Sequence, residues 1–316
     1  IACFFVCFFT LAGYTFAQER YSATWESLRQ YQCPEWFKDA KFGIFIHWGV
    51  YSVPAFQSEW YPHNMYQKGS ESYEHHIAKY GPMDKFGYKD FIPMFKAEKF
   101  NAQEWVSLFK KSGAKYIVPV AEHHDGFCMY KTALSKWNSF DMGPNRDIIG
   151  ELAGEVRKQG LIFGLSSHRI EHWWFFGSGR EFESDVQSGK YDDFYGPARK
   201  ESDTMSPEFM NDWLMRNIEL VNNYQPQLFW FDWWIEQPAL EPYRKSFASY
   251  YYNKGLQWNK GVVINYKYNS FKEGTAVYDI ERGSSKDLMK YPWQTDTSVG
   301  KDSWGYIENE HNKTPN

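Results

Sequence analysis

Cysteine is scarce: the 316 residues hold four. Cys3 and Cys7 fall in the apolar run that begins the sequence, which leaves Cys33 and Cys128. Two cysteines make neither a disulfide framework nor a metal knuckle, so stability has to come from burial of a core. There is no basic stripe, and the net charge is −4 with a pI near 6.2, which excludes a nucleic-acid partner. No internal repeat and no low-complexity linker breaks the chain. No GxGxxG or P-loop follows the first buried run, which argues against a nucleotide-binding sheet. The single long apolar stretch is IACFFVCFFTLAGYTFA at 1–17. It is short for a membrane span, and no stop-transfer charges follow it. It reads as part of a signal peptide, with Thr15-Phe16-Ala17 as the cleavage signal. The expectation is therefore export to a secreted, periplasmic or lysosomal location, with no stable membrane insertion and a mature domain over 18–316.

Aromatic residues are abundant instead. They make up 20% of the chain, with 15 Trp, 23 Tyr and 26 Phe. Such rings build cores, and they also offer flat faces to the C–H surfaces of sugars. A pattern recurs along the chain: a short apolar run closed by polar or aromatic residues, then usually a helical stretch. The runs are 43–50, 116–124, 161–168, 228–233, 262–267 and 276–281, with a seventh at 292–300. Continuous apolar runs without alternation suit strands buried on both faces. Between them lie helix signals. Asn101 reads as an N-cap with Glu104 closing a capping box, and Trp105, Leu108 and Phe109 share a face. Ile149, Leu152 and Val156 mark a second helix. Ser206-Pro207 opens a third, with Met210, Trp213, Leu214, Ile218 and Val221 on its core face. Strand and helix in alternation predict an α/β fold with a parallel sheet.

The polar residues that close the runs favour a (β/α)8-like barrel, in which functional groups sit on the C-terminal ends of the strands. Those ends carry His47-Trp48, His123-His124-Asp125, His168, Asp232 and Glu281. A structural reading stands beside each. Asp232, set in Phe-Trp-Phe-Asp-Trp-Trp, could be a buried acid tied to backbone. Glu281 could pair on the surface with Arg282. His123 and His124 could be core residues or metal ligands, although neighbours within a strand face opposite ways unless the strand has ended. Glu59 and Trp60 could form a polar rim, or could bind a sugar hydroxyl and cover the sugar's apolar face. Two carboxylates on different strand ends are what a glycosidase needs, one at the anomeric centre and one to protonate the departing oxygen.

These residues resemble the α-L-fucosidases of glycoside hydrolase family 29. The resemblance runs from about Trp36 to the end of the chain, through WFKDAKFGIFIHWGVYSVPAFQSEWY, AEHHDGFCMYKTALSKWNS, LFWFDWW and PWQTDTSVGKDSWGY. It implies a retaining exo-glycosidase that releases terminal α-L-fucose from oligosaccharides or glycoconjugates, with no cofactor and no metal. Carried over by position, Asp232 would be the nucleophile and Glu281 the acid/base. His47, His123 and His124 would bind fucose hydroxyls, with Glu59 and Trp60 nearby and Trp230 lining the pocket. Many relatives have Trp-Glu where this chain has Trp293-Gln294, and Gln cannot donate the proton. Ser166-Ser167-His168 departs from the Tyr-rich segment of relatives and leaves the role of His168 open. The segment 169–204 is expected to influence which glycan is accepted.

Three other readings remain. One is a metal-dependent hydrolase built on His47, His123 and His124. Another is an inactive carbohydrate-binding barrel, and the last is an exo-glycosidase for another sugar, such as galactose. The oligomeric state is left open. Six firm strands and a seventh fall one short of barrel closure, so the expectation is that a last barrel unit and a β-sandwich follow Asn316.

Overall fold

The structure is a computed structural model that describes residues 20–314. The apolar run at 1–17, with Cys3, Cys7 and the expected cleavage after Ala17, lies outside the described residues.

Each apolar run contains a strand: β1 (Gly43–Ile46), β2 (Tyr116–Glu122), β3 (Ile162–Ser167), β4 (Leu228–Phe231), β5 (Val263–Tyr266), β6 (Val277–Glu281) and β7 (Trp293–Asp296). They form one seven-stranded sheet in sequence order, and every neighbouring pair is parallel. A sheet that adds each parallel strand beside the last curls in one direction, as a barrel does. Val118, Leu228, Trp230, Val263 and Val277 pack together with Phe37 in one small cluster, with Phe45 against it. That cluster fills the inside of the curl. A larger core, which includes Phe163, Phe229, Phe231, Ile264, Trp213 and Phe247, lies between sheet and helices. The runs of β2–β5 are continuously apolar because both of their faces are covered.

The outermost strands, β1 and β7, are not bonded to each other. Gly43–Phe45 of β1 and Gln294–Asp296 of β7 line a cavity of about 780 Å³, together with Val118, Leu228 and Trp230 from the inner face. Residues 298–312 border the same space. No helix among the described residues is long and apolar enough to cross a membrane.

The helices follow their sequence signals with a few differences. Asn101 caps Ala102–Lys111 by accepting from the Glu104 N–H at 3.2 Å, but the Glu104 carboxylate bonds the Asn101 side-chain amide and not its backbone. Ala102, Trp105, Val106 and Phe109 face inward, while Leu108 is 65% exposed. Leu108 lies on the far edge of that stripe at 100° per residue. Ile148–Lys158 buries Ile149, Leu152 and Val156 as expected. Pro207–Tyr224, capped by Ser206, buries Met210, Trp213 and Val221 but only partly covers Leu214 and Ile218. Its inner face includes Arg216, which pairs with Asp212 at 2.9 Å and approaches the buried Glu122 at 3.5 Å. Paired charge, not apolarity, decides that part of the face.

Candidate active site

Asp232 is the first residue after β4, on the same side of the strand as Trp230 two positions before it. Its side chain is only 13% exposed. Four groups converge on it. His168 Nδ1 is 2.9 Å from Oδ2, the Trp233 N–H donates to Oδ1 at 2.8 Å, Lys267 Nζ stands 3.5 Å from Oδ1, and His124 Nε2 is 3.8 Å from Oδ2. Burial pushes the carboxyl upward. The Lys267 charge, the His168 hydrogen bond and His124 outweigh it and hold Asp232 well below the usual carboxylate range. An ionised carboxylate only accepts, so His168 carries its proton on Nδ1, and its Nε2 faces the Ser166 hydroxyl at 3.0 Å. His168, whose role the sequence left open, thus positions Asp232.

β2 ends at Glu122, so His123 and His124 lie past the strand and its alternation no longer separates them. Their rings sit 4.2 Å apart between centroids. His124 Nδ1 lies 3.2 Å from Glu171, a fully buried carboxyl in the segment after β3. Burial pushes His124 down, but Glu171 and Asp232 raise it to about 9. Glu171 is itself pushed up to about 7 by burial. His123 and His47 are held well below the usual histidine range by burial and by neighbouring imidazoles, so they are neutral. His47, His123 and His168 bring one donor nitrogen each within 4.8 Å of one another. The trio that the strand ends assemble therefore contains His168 in place of the expected His124. His124, His168 and Asp232 form a second group of the same tightness. Asp125 turns away and accepts from the Tyr88 hydroxyl at 2.6 Å.

Glu281 closes β6, and its side chain is 42% exposed. Its partner is Lys267, at 2.5 Å, while Arg282 donates to Ser298. Lys267 therefore bridges the two proposed carboxylates. The two contacts, 3.5 Å to Asp232 and 2.5 Å to Glu281, place both carboxylates around one ammonium group. Lys267 is buried among three carboxylates and over Trp230, with Asp296 Oδ2 also 3.7 Å away, and these charges raise its pKa. Sequence reasoning missed it, although it ends the fifth apolar run just as the chosen residues end theirs. Asp296 closes β7 in the same way and is pushed up to about 6, by burial first. Asp279, buried on β6, accepts from the Trp230 indole.

The aromatic residues fall into place around this centre. Trp230 is 2% exposed and forms the floor, 5.1 Å from the His168 ring. Trp60 lies 5.1 Å from His124 and 6.1 Å from Trp174. Trp304 stands 5.6 Å from His47 on the opposite side. Glu59 is buried, and its Oε2 accepts from the Ser303 hydroxyl at 2.7 Å and from the N–H groups of Trp304 at 2.9 Å and Gly305 at 3.2 Å. It is brought to the segment that carries Trp304, and three donors already occupy that oxygen. The segment 169–204 is a packed set of short turns with Trp173, Trp174, Phe175 and Phe176 buried.

A recessed, ionised carboxylate, a second carboxylate across a lysine, neutral imidazoles and indole faces make a pocket for a polar ring with apolar patches. The sequence profile of the family described as Alpha-L-fucosidase matches residues 9–316. The chain belongs to the alpha-L-fucosidase family. It is 36% identical to the tissue alpha-L-fucosidase of Rattus norvegicus over 294 residues, 92% of this chain and 59% of that one. It is 37% identical to the plasma alpha-L-fucosidase of Homo sapiens over 300 residues, 91% of this chain and 58% of that one. The crystal structure of Thermotoga maritima alpha-fucosidase in complex with fucose superposes with a TM-score of 0.74 at 34% identity, covering 93% of this chain and 66% of that one. The chain thus spans about 58–61% of the length of the curated fucosidases it matches.

Proposed function

We propose that the protein is a retaining exo-glycosidase that hydrolyses terminal α-L-fucose from glycans, with Asp232 as nucleophile and Glu281 as acid/base. The observation that carries this reading is the charge arrangement at Asp232. A nucleophile has to be ionised while the acid is protonated, and Lys267, His168 and His124 together keep Asp232 charged despite its burial. Attack by Asp232 on the anomeric carbon forms a glycosyl-enzyme ester as Glu281 gives its proton to the leaving oxygen. Glu281 then takes a proton from the water that opens the ester. The exposed position of Glu281 lets that proton be replaced from solvent. Lys267 would release Glu281 when the acid takes up its proton.

His47, His123 and His124 are proposed to bind the sugar hydroxyls, and Trp60 and Trp304 to flank the ring. Glu59 acts by fixing Trp304. Fucose carries a methyl at C6, and the Trp230, Phe45 and Trp304 surfaces supply the apolar wall it needs. The names of the tissue and plasma relatives fit an exported enzyme, as does the apolar run at 1–17. The 18–316 region is read as the catalytic barrel domain, and fucosylated oligosaccharides or glycoconjugates as its substrates. The test is hydrolysis of a panel of nitrophenyl glycosides by the full-length protein. Preference for the α-L-fucoside over the β-D-galactoside is expected. Equal rates, or preference for a sugar with a C6 hydroxyl, would overturn the sugar assignment. Loss of activity on chelation would favour the metal-dependent hydrolase instead.

A further inference from the structure

Three successive strand ends each place one imidazole in the pocket: His47 after β1, His123 after β2 and His168 after β3. Their ring centroids are 5.8, 5.4 and 4.9 Å apart, and one nitrogen from each lies within 4.8 Å of the others. His123 is 3% exposed, and its Nδ1 is buried with no hydrogen-bond partner. A buried imidazole nitrogen without a partner needs a ligand to satisfy it. His168 is held from behind by the Asp232 carboxylate through Nδ1–H, which leaves its lone pair on Nε2, where a bound ion would displace the Ser166 hydroxyl that stands 3.0 Å away. A carboxylate that fixes the tautomer of a histidine is the usual outer partner of a metal-bound imidazole.

We propose that His47, His123 and His168 form a binding site for one divalent transition-metal ion of the zinc class, held by three imidazoles with the fourth position open. Nitrogens around such an ion stand about 3.3 Å apart when each bond is about 2.0–2.1 Å, so side-chain rotation has to draw the three rings together. The ligand set suits zinc, cobalt(II), nickel or copper(II), and not calcium or magnesium, which prefer oxygen. The overlapping group of His124, His168 and Asp232 is the poorer site. His124 is tied to Glu171 and Asp232 to Lys267, so two of its three members already have partners.

The consequence for activity rests on the proposed sugar pocket. The ion would occupy donors meant for the fucose hydroxyls, so metal and sugar would exclude each other. Cobalt(II) is the probe, because its visible absorption reports coordination without any turnover. The full-length protein should take up one Co²⁺ with the intense bands of a four- or five-coordinate site, and Zn²⁺ should bleach them. His47→Gln should weaken Co²⁺ binding about tenfold or more. His47 makes no side-chain hydrogen bond among the described residues, and an unchanged melting curve would show that the variant is folded. Magnesium should give no effect. Absence of the bands and of calorimetric Zn²⁺ binding at millimolar metal overturns the site. Bands that persist undiminished in His47→Gln and in His123→Gln also overturn it, because the ion then sits elsewhere. Bands that vanish in the variants yet resist saturating L-fucose support the metal site and count against the sugar pocket. Displacement by L-fucose supports both.

Discussion

The two halves of the sheet treat their functional groups differently. Around β1–β4 the strand-end groups are sunk and tied. His123, His124 and His168 are each no more than 3% exposed, and Asp232 accepts from a ring and a backbone N–H while a lysine stands beside it. At β6 and β7 the cover thins. β6 alternates between buried and half-buried residues and ends on the exposed Glu281, β7 is half covered, and Lys267 is the ion-pair partner of Glu281. A nucleophile works by being held ionised in one place, and a network in a low-dielectric pocket does that. An acid/base has to lose and regain a proton in each cycle, and an exposed group with one tether can do so. Lys267 joins the halves, because it touches Asp232 on one side and Glu281 and Asp296 on the other.

The largest effect should come from cutting the tied half at its centre. Asp232→Gly should lower kcat by roughly 10⁴-fold or more, and azide should restore part of it by attacking the opened anomeric face. Full activity in that variant would end the comparison. Glu281→Ala should cost roughly 10²–10⁴-fold with poor leaving groups and little with activated aryl fucosides. Equal losses on both would remove Glu281 from the acid role. Lys267→Met tests the joint itself, with an expected loss of about 10–100-fold in kcat. Lys267 lowers the Asp232 pKa, so its removal should raise that pKa and move the acidic limb of the activity profile to higher pH. An acidic limb that stays put would show that Lys267 does not control the nucleophile.

The strands and most of their chemical ends were legible, because buried strands write themselves as apolar runs and the polar residue that stops a run stands out. That logic found His47, His123, His168, Asp232 and Glu281. It passed over Lys267, which ends its run in the same way, because a lysine beside a loop usually belongs to the surface, and over Asp296, which closes a strand but lies inside the 292–300 run. Glu171 could not be seen at all. It lies in a short 3-10 helix, Arg169–Trp173, and only the tertiary packing of that turn sets it against His124. Leu108 is exposed because it sits at the edge of its helix's apolar stripe, and Arg216 is buried because a paired charge can take a place on a helix face that apolarity alone would not assign.

The smallest effect concerns stability. The His124 pKa is raised above its unfolded value, to about 9, so its contribution is present in full below about pH 6.5 and is lost as pH rises through 9. The raised Glu171 acts in the same direction at lower pH, since its contribution is lost between about pH 4.5 and 7. Thermal melting should therefore weaken between pH 6.5 and 9.5 by on the order of 2 kcal/mol, or a few degrees in Tm. His124→Gln should flatten that decline. A decline of the same slope in the variant would place its origin outside the His124–Glu171 pair.

The most direct measurement is covalent trapping. A 2-deoxy-2-fluoro-fucosyl fluoride slows both chemical steps while its good leaving group keeps the first one running, so the glycosyl-enzyme accumulates. Intact-mass analysis should show one added fluorofucosyl unit per chain, and peptide mapping should place it on Asp232 in the Leu228–Trp234 segment. A label on another residue, or a substrate consumed with no adduct formed, would contradict the account of Asp232 as a nucleophile held ionised by Lys267, His168 and His124.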